Sequence, residues 1–245
     1  MQNHNNVNAA ITCNQLTAAE FSRLVNQTTS SNNRGNTDDY RNLSVADCTV
    51  NEQNLARAEF HNSKLSNVTF TSSDLNNVEF TCCQLENVTF DSCKMEYTDF
   101  NFAVMDNVRF VNCQLKGSTF HLVAGNTAMV RCFIGGIEML GTANMTLNID
   151  SCSGENTHFN GCNDLHITAA DSLLHRSEFT DSTLVGTMTN CMLNDSDFRG
   201  SDCSALNFDS CPMRDVSSRG AIGFVPSALT ESEYDDDDDF DFDFE

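Results

Sequence analysis

The chain of 245 residues carries 13 Lys+Arg against 35 Asp+Glu, a formal net charge of −22, with 12 Cys, two Pro and no Trp. At 40% hydrophobic residues it can supply a core, which argues against wholesale disorder, and one long all-β domain fits the length. So acidic a balance argues against direct binding of nucleic acid or an anionic membrane, both of which need clustered Lys and Arg, and fits either solubility or a protein partner with a basic surface. No apolar run approaches the roughly 18 residues of a membrane helix, and the start MQNHNNVNAAITCNQL does not read as a secretory signal. The expected location is the cytoplasm, with delivery into a host cell without a cleavable signal peptide as the alternative.

In chain order, Thr17 and Glu20 have capping-box spacing, and Phe21, Leu24 and Val25 follow on one helical face. A short helix over 18–26 is expected to cover whatever core follows. Residues 26–42 (NQTTSSNNRGNTDDYRN) read as a polar linker, which makes 1–42 an N-terminal segment.

From Leu55 to Phe120 every fifth residue is Leu, Phe or Met, with Phe and Leu or Met alternating. Fourteen successive hits have a random probability on the order of 10⁻¹⁰. The Phe positions carry Val two residues earlier at Val68, Val78, Val88 and Val108, whereas the Leu/Met positions carry Ser63, Ser73, Cys83, Cys93, Ala103 and Cys113. A period of five suits neither a helix nor a flat strand. It suits a solenoid with five-residue sides, and strict alternation of two side types requires an even number of sides. Four sides give coils of twenty residues, which stack Phe60, Phe80, Phe100 and Phe120.

The tandem run SKLSN, VTFTS, SDLNN, VEFTC, CQLEN resembles the pentapeptide-repeat proteins, whose consensus is A-(D/N)-L-x-x. The resemblance implies a right-handed, four-sided β-helix. It is tight over 55–120 and looser over 43–54 and 159–215, and 121–158 keeps only weak fivefold spacing through Ile134, Met139 and Ile149. The repeat domain is expected over 43–215, about 40 Å long at the ~4.8 Å strand spacing, with a C-terminal cap over 216–230. Repeat ends need caps because each coil contacts only its neighbours.

Residues 231–245 form an acidic tail with ten acids and no base, read as extended and disordered. Asp239, Phe240, Asp241, Phe242, Asp243 and Phe244 alternate charge and ring, a pattern that fits either a purely solubilising tail or a docking peptide.

Nothing points to catalysis: there is no glycine-rich phosphate loop, the six His are scattered, and no metal-ligand spacing or cofactor motif occurs. The cysteines read as free core thiols, Cys191 and Cys211 stacking twenty apart, with Cys82 the outward, reactive one. Glu59, Glu79 and Asp99, twenty apart, are expected to stack into a carboxylate ladder, with Asp74, Glu86 and Asp106 on other sides. Spaced carboxylates on a straight rod can imitate duplex phosphates. Several pentapeptide-repeat proteins that this one resembles are such DNA mimics, occupying the DNA-binding saddle of gyrase and topoisomerase IV, so the resemblance implies a gyrase or topoisomerase partner. Such members commonly dimerise through a C-terminal helix, but Gly220, Gly223 and Pro226 suit a helix poorly, and no insertion interrupts 55–120, so projecting loops would have to come from 121–158. Other members it resembles are secreted effectors or scaffolds, the alternative reading.

Overall fold

The computed structural model describes residues 14–29 and 39–226. From Asn42 to Asn112 every fifth residue has φ between 49° and 67°, the left-handed conformation that Asn adopts more readily than other side chains. These residues are the corners of the coil, and Asn occupies seven of the fifteen: 42, 62, 67, 77, 87, 107 and 112. The repeat is therefore set by two signals, an inward apolar residue and, two residues later, one that tolerates the turn.

Strand β1 (Asn14–Leu16) and helix α1 (Ala18–Thr29) precede the coil. Then come β2 (Leu43–Asn51), β3 (Lys64–Thr71), β4 (Gln84–Glu86), β5 (Thr89–Asp91), β6 (Val104–Val111), β7 (Ala124–Val130), β8 (Ala143–Asp150), β9 (Asn163–Ala170), β10 (Thr183–Thr189) and β11 (Asp202–Asp209). All pair in parallel, for instance Lys64 with Gln84 and Gln84 with Val104. The other two sides of each coil pair through single bridges such as Asn54 to Asp74 and Glu59 to Glu79. The result is a parallel, four-sided β-solenoid, and we name its sides after Phe60, Leu65, Phe70 and Leu75.

The interior is a stack of rings. Phe60, Phe80, Phe100 and Phe120 follow one another at centroid spacings of 5.0, 5.1 and 5.0 Å, and Phe70, Phe90 and Phe110 form a second column at 5.1 Å. The two columns meet edge to face, Phe80 to Phe90 at 5.6 Å and Phe100 to Phe110 at 5.5 Å, the arrangement the ring quadrupoles favour.

The inward small residues have a second task. The Ser118 hydroxyl accepts the Thr98 N–H at 3.1 Å and donates to the Met95 carbonyl at 2.7 Å, tying one coil to the one before. Ser63 does the same for Leu43 and Tyr40 at 3.0 and 2.9 Å. Cys132 fills this role with sulfur, for Cys113 and Phe110, both at 3.4 Å. These positions thus select a small side chain with a donor and an acceptor, which buried backbone groups require. Burial pushes the Cys83 thiol up to about 12 and Cys203 to about 11, so both are neutral.

Residues 121–158 continue the coil through β7, β8 and the bridges Phe133 to Ser153 and Glu138 to His158, so the loops that gyrase binding would need are not found there. Their weak periodicity has a local cause. Met105 pairs with Gly125 but Val108 pairs with Thr127, so the coil there is one residue short. Gly125, at φ +117°, makes the shortcut: a Cβ there would sit 2.0 Å from the Met105 oxygen. Gly186 repeats the device, with a Cβ position 2.1 Å from the Ile167 oxygen.

Both ends of the core are covered. The Thr17 N–H donates to Glu20 Oε2 at 2.8 Å and the Glu20 N–H to Thr17 Oγ1 at 3.3 Å, closing the capping box of α1. Phe21 and Val25 are buried, and the Phe21 ring lies 6.0 Å from Tyr40 and 6.3 Å from Phe60. At the other end Phe224 packs against Phe198 and Phe208 at 5.2 and 5.4 Å, and residues 216–226 hold no helix.

Candidate functional site

The outward position before each core residue of the Phe60 side forms one column of parallel bridges: Asp39, Glu59, Glu79, Asp99, Thr119, Glu138, His158, Glu178, Asp197 and Ser217. Seven of its ten rungs are carboxylates. The structure thus brings Glu59, Glu79 and Asp99 together and adds Glu138, Glu178 and Asp197. Counting by twenties from Asp99 reaches Thr119 and then Met139; the short coil at Gly125 shifts the column to Glu138, so the signal was in the glycine.

The column is neutralised at its ends and open near its middle. Arg41 donates to both Asp39 oxygens, at 2.9 and 2.7 Å, and also lies 3.4 Å from Glu59. The hydrogen bond from Arg41 holds the Asp39 carboxyl below its ordinary value. Arg199 grips both oxygens of Asp197 at 2.9 and 2.7 Å; partial burial pushes that carboxyl up, and the Arg199 bonds and charge outweigh it, so its pKa is lowered. His121 sits 3.2 Å from Glu138 and His158 3.2 Å from Glu178. Among the described residues no basic group lies within 4.0 Å of Glu79 or Asp99. Glu79 is exposed, and Asp99 is partly exposed and accepts from the Asn101 N–H at 2.7 Å.

The remaining acidic positions are apart from this column. Asp74 lies on the Leu75 side between Asn54 and Lys94, so a base follows it one rung on. Glu86 and Asp106 pair on successive rungs of the Leu65 side, and Asp106 accepts from Asn126 at 2.8 Å. The tail positions Asp239, Phe240, Asp241, Phe242, Asp243 and Phe244 lie outside the described residues. Among the described residues no group of three His, Cys, Asp or Glu is placed to hold a metal ion.

Sequence reasoning passed over the edges of this side. Tyr97 at one corner and Phe102 and Leu122 at the other are 57%, 54% and 55% exposed. A signal was present: each stands two residues after a core position, where Asn or another small polar residue is the rule.

Residues 43–120 match the family model of a pentapeptide repeat region. No curated protein matches the chain. Similar solved structures include a trypsin-treated variant of QnrB1, a plasmid-mediated fluoroquinolone resistance protein, 14% identical over 74% of this chain and 84% of that one, with a TM-score of 0.32. HetL, a pentapeptide repeat protein involved in heterocyst differentiation regulation from the cyanobacterium Nostoc sp. strain PCC 7120, is 9% identical over 85% and 98% of the two chains, with a TM-score of 0.32. The A-module of the Azotobacter vinelandii mannuronan C-5 epimerase AlgE4 is 11% identical over 78% and 64%, with a TM-score of 0.34. These likenesses carry nothing about partner or activity. The fivefold repeat, the four-sided parallel coil and the family match identify residues 43–120 as a pentapeptide repeat region, set within a longer parallel β-solenoid.

Proposed function

We propose that the chain is a non-enzymatic interaction protein whose acidic Phe60 side occupies the DNA-binding surface of a basic enzyme, with DNA gyrase or topoisomerase IV the first to test. The observation that carries this reading is the column of seven carboxylates in ten rungs, open at Glu79 and Asp99. Residues 39–226 hold 23 acids and 11 bases. Over nine intervals of about 4.8 Å this is one net negative charge per about 4 Å of rod, against one per about 1.7 Å of duplex. The rod therefore carries less than half the charge density of DNA, which weakens charge as the sole source of affinity. Carboxylates stand on the other sides too, but more sparsely in register: a column of the Phe70 side holds three, Asp91, Asp150 and Asp209, against seven on the Phe60 side.

The test is binding to purified gyrase over a salt series with duplex DNA as competitor. The expected result is affinity that falls with salt and that DNA displaces; salt-insensitive binding that DNA leaves untouched would remove mimicry from the account.

A further inference from the structure

Charge alone leaves the acidic side short of a duplex, and the exposed corners supply a second kind of contact. Tyr97, Phe102 and Leu122 have φ of 56°, 61° and 55°. This left-handed conformation is costly for bulky side chains, and strain of this kind concentrates at functional positions. On most other coils the same two corners hold small residues such as Asn62, Asn77, Gly136 and Asp181, with Arg57 and Arg176 the large, charged exceptions. Large side chains have thus been placed where the backbone disfavours them and where none is needed for the core.

Tyr97 and Leu122 are also held in place. The Tyr97 ring covers Gly117, one coil on, so closely that a Cβ there would lie 2.7 Å from its Cε1. Leu122 lies against Gly141 in the same way, with Cδ2 3.2 Å from the Cβ position. Rings seated on glycine lose little freedom on binding. Val104, 52% exposed, extends the apolar strip past Phe102 onto the Leu65 side. The strip therefore runs between Glu79 and Asp99 on one side of its corner and Glu86 and Asp106 on the other. Asp99 itself stands between the two apolar edges, Tyr97 and Phe102, near the middle of the column.

We infer that Tyr97, Phe102 and Leu122 are the anchors of this side, entering apolar sockets on a protein partner whose socket rims carry Lys or Arg. This rests on the proposal that the acidic side binds a basic protein, and it names what that protein must present. Aromatic anchors at the centre of a charged rim are where binding energy concentrates. A second copy of the chain does not fit as the occupant, because a two-fold contact centred on Asp99 sets carboxylates against carboxylates.

The test replaces all three anchors with the residue the corners prefer, Tyr97→Asn, Phe102→Asn and Leu122→Asn. The change suits the backbone, so circular dichroism and the melting temperature should hold or improve. Binding to purified gyrase should weaken at least tenfold while its salt dependence persists, whereas Glu59→Lys, Glu79→Lys and Asp99→Lys together should abolish the salt dependence. Unchanged affinity in the Asn variant would overturn the inference and leave the acidic-side reading standing. If the unmutated protein does not bind gyrase, that named partner fails, and two defined probes decide the anchors: an oligolysine and a leucine–lysine peptide of equal charge. The anchors predict at least tenfold tighter binding of the leucine–lysine peptide, lost in the Asn variant. No such preference, or a preference that survives in the Asn variant, would overturn the inference.

Discussion

The Phe80 ring lies on that of Phe100 at 5.1 Å and 11°, and neither is exposed to solvent. From Tyr40 to Phe120, and again from Phe159 to Phe198, each coil holds the next through such a pair, so stability passes along the rod coil by coil. Phe80→Ala should cost about 3–5 kcal/mol, as truncation of a fully buried ring does. Urea unfolding checks it, and a loss below about 1 kcal/mol would contradict the stack.

The inward hydroxyls give a finer test. Ser118 serves two backbone groups of the preceding coil; Ser118→Ala strands the Thr98 N–H, while the Met95 carbonyl keeps the Thr98 hydroxyl at 2.8 Å, and should cost about 1–3 kcal/mol. Ser118→Cys should cost less, because sulfur already fills this role at Cys132. Thr127 is the contrary case: its buried hydroxyl has no hydrogen-bond partner. Thr127→Val should therefore be neutral or stabilising in the same unfolding assay.

Gly125 is placed where a Cβ would meet the Met105 oxygen at 2.0 Å. Gly125→Ala combines that clash with an unfavourable φ and should cost about 3 kcal/mol or more. Hydrogen exchange should show the opening centred on β6 and β7, and protection equal to the unmutated protein would contradict the shortcut.

Two carboxyls near the N-terminal end of the rod tie its cap to pH. The Glu20 carboxyl is lowered by the hydrogen bond from the Thr17 hydroxyl, and Asp39 by that from Arg41. A lowered folded pKa contributes stability that is complete above the unfolded value, about 4, and is lost as pH falls through the folded one. The cap should therefore hold above about pH 4.5 and loosen below it. The signal to follow is exchange of the α1 amides as pH falls, compared with Glu20→Gln, in which the step should shrink.

Much of the fold was legible in the sequence because the coil repeats itself: Leu55 to Phe120 mark every inward residue, and Thr17 with Glu20 marked the start of α1. The ladder was read only as far as Asp99, since a one-residue shortcut at Gly125 moves the column by one and hides Glu138 and Glu178, and a second at Gly186 moves it again and hides Asp197. Its partial neutralisation was hidden too, because Arg41 reaches Asp39 and Glu59 through side-chain geometry that spacing does not encode. Tyr97 and Phe102 were passed over because a search for core residues discards the outward ones.

The most direct test of the central claim compares two triple charge reversals with identical net charge. Glu59→Lys, Glu79→Lys and Asp99→Lys alter the Phe60 side, whereas Asp91→Lys, Asp150→Lys and Asp209→Lys alter the Phe70 side. Measured against purified gyrase at fixed salt, the first variant should lose binding and the second should keep most of it. Equal losses would mean that net charge acts without regard to side, and would contradict a binding surface on the Phe60 side.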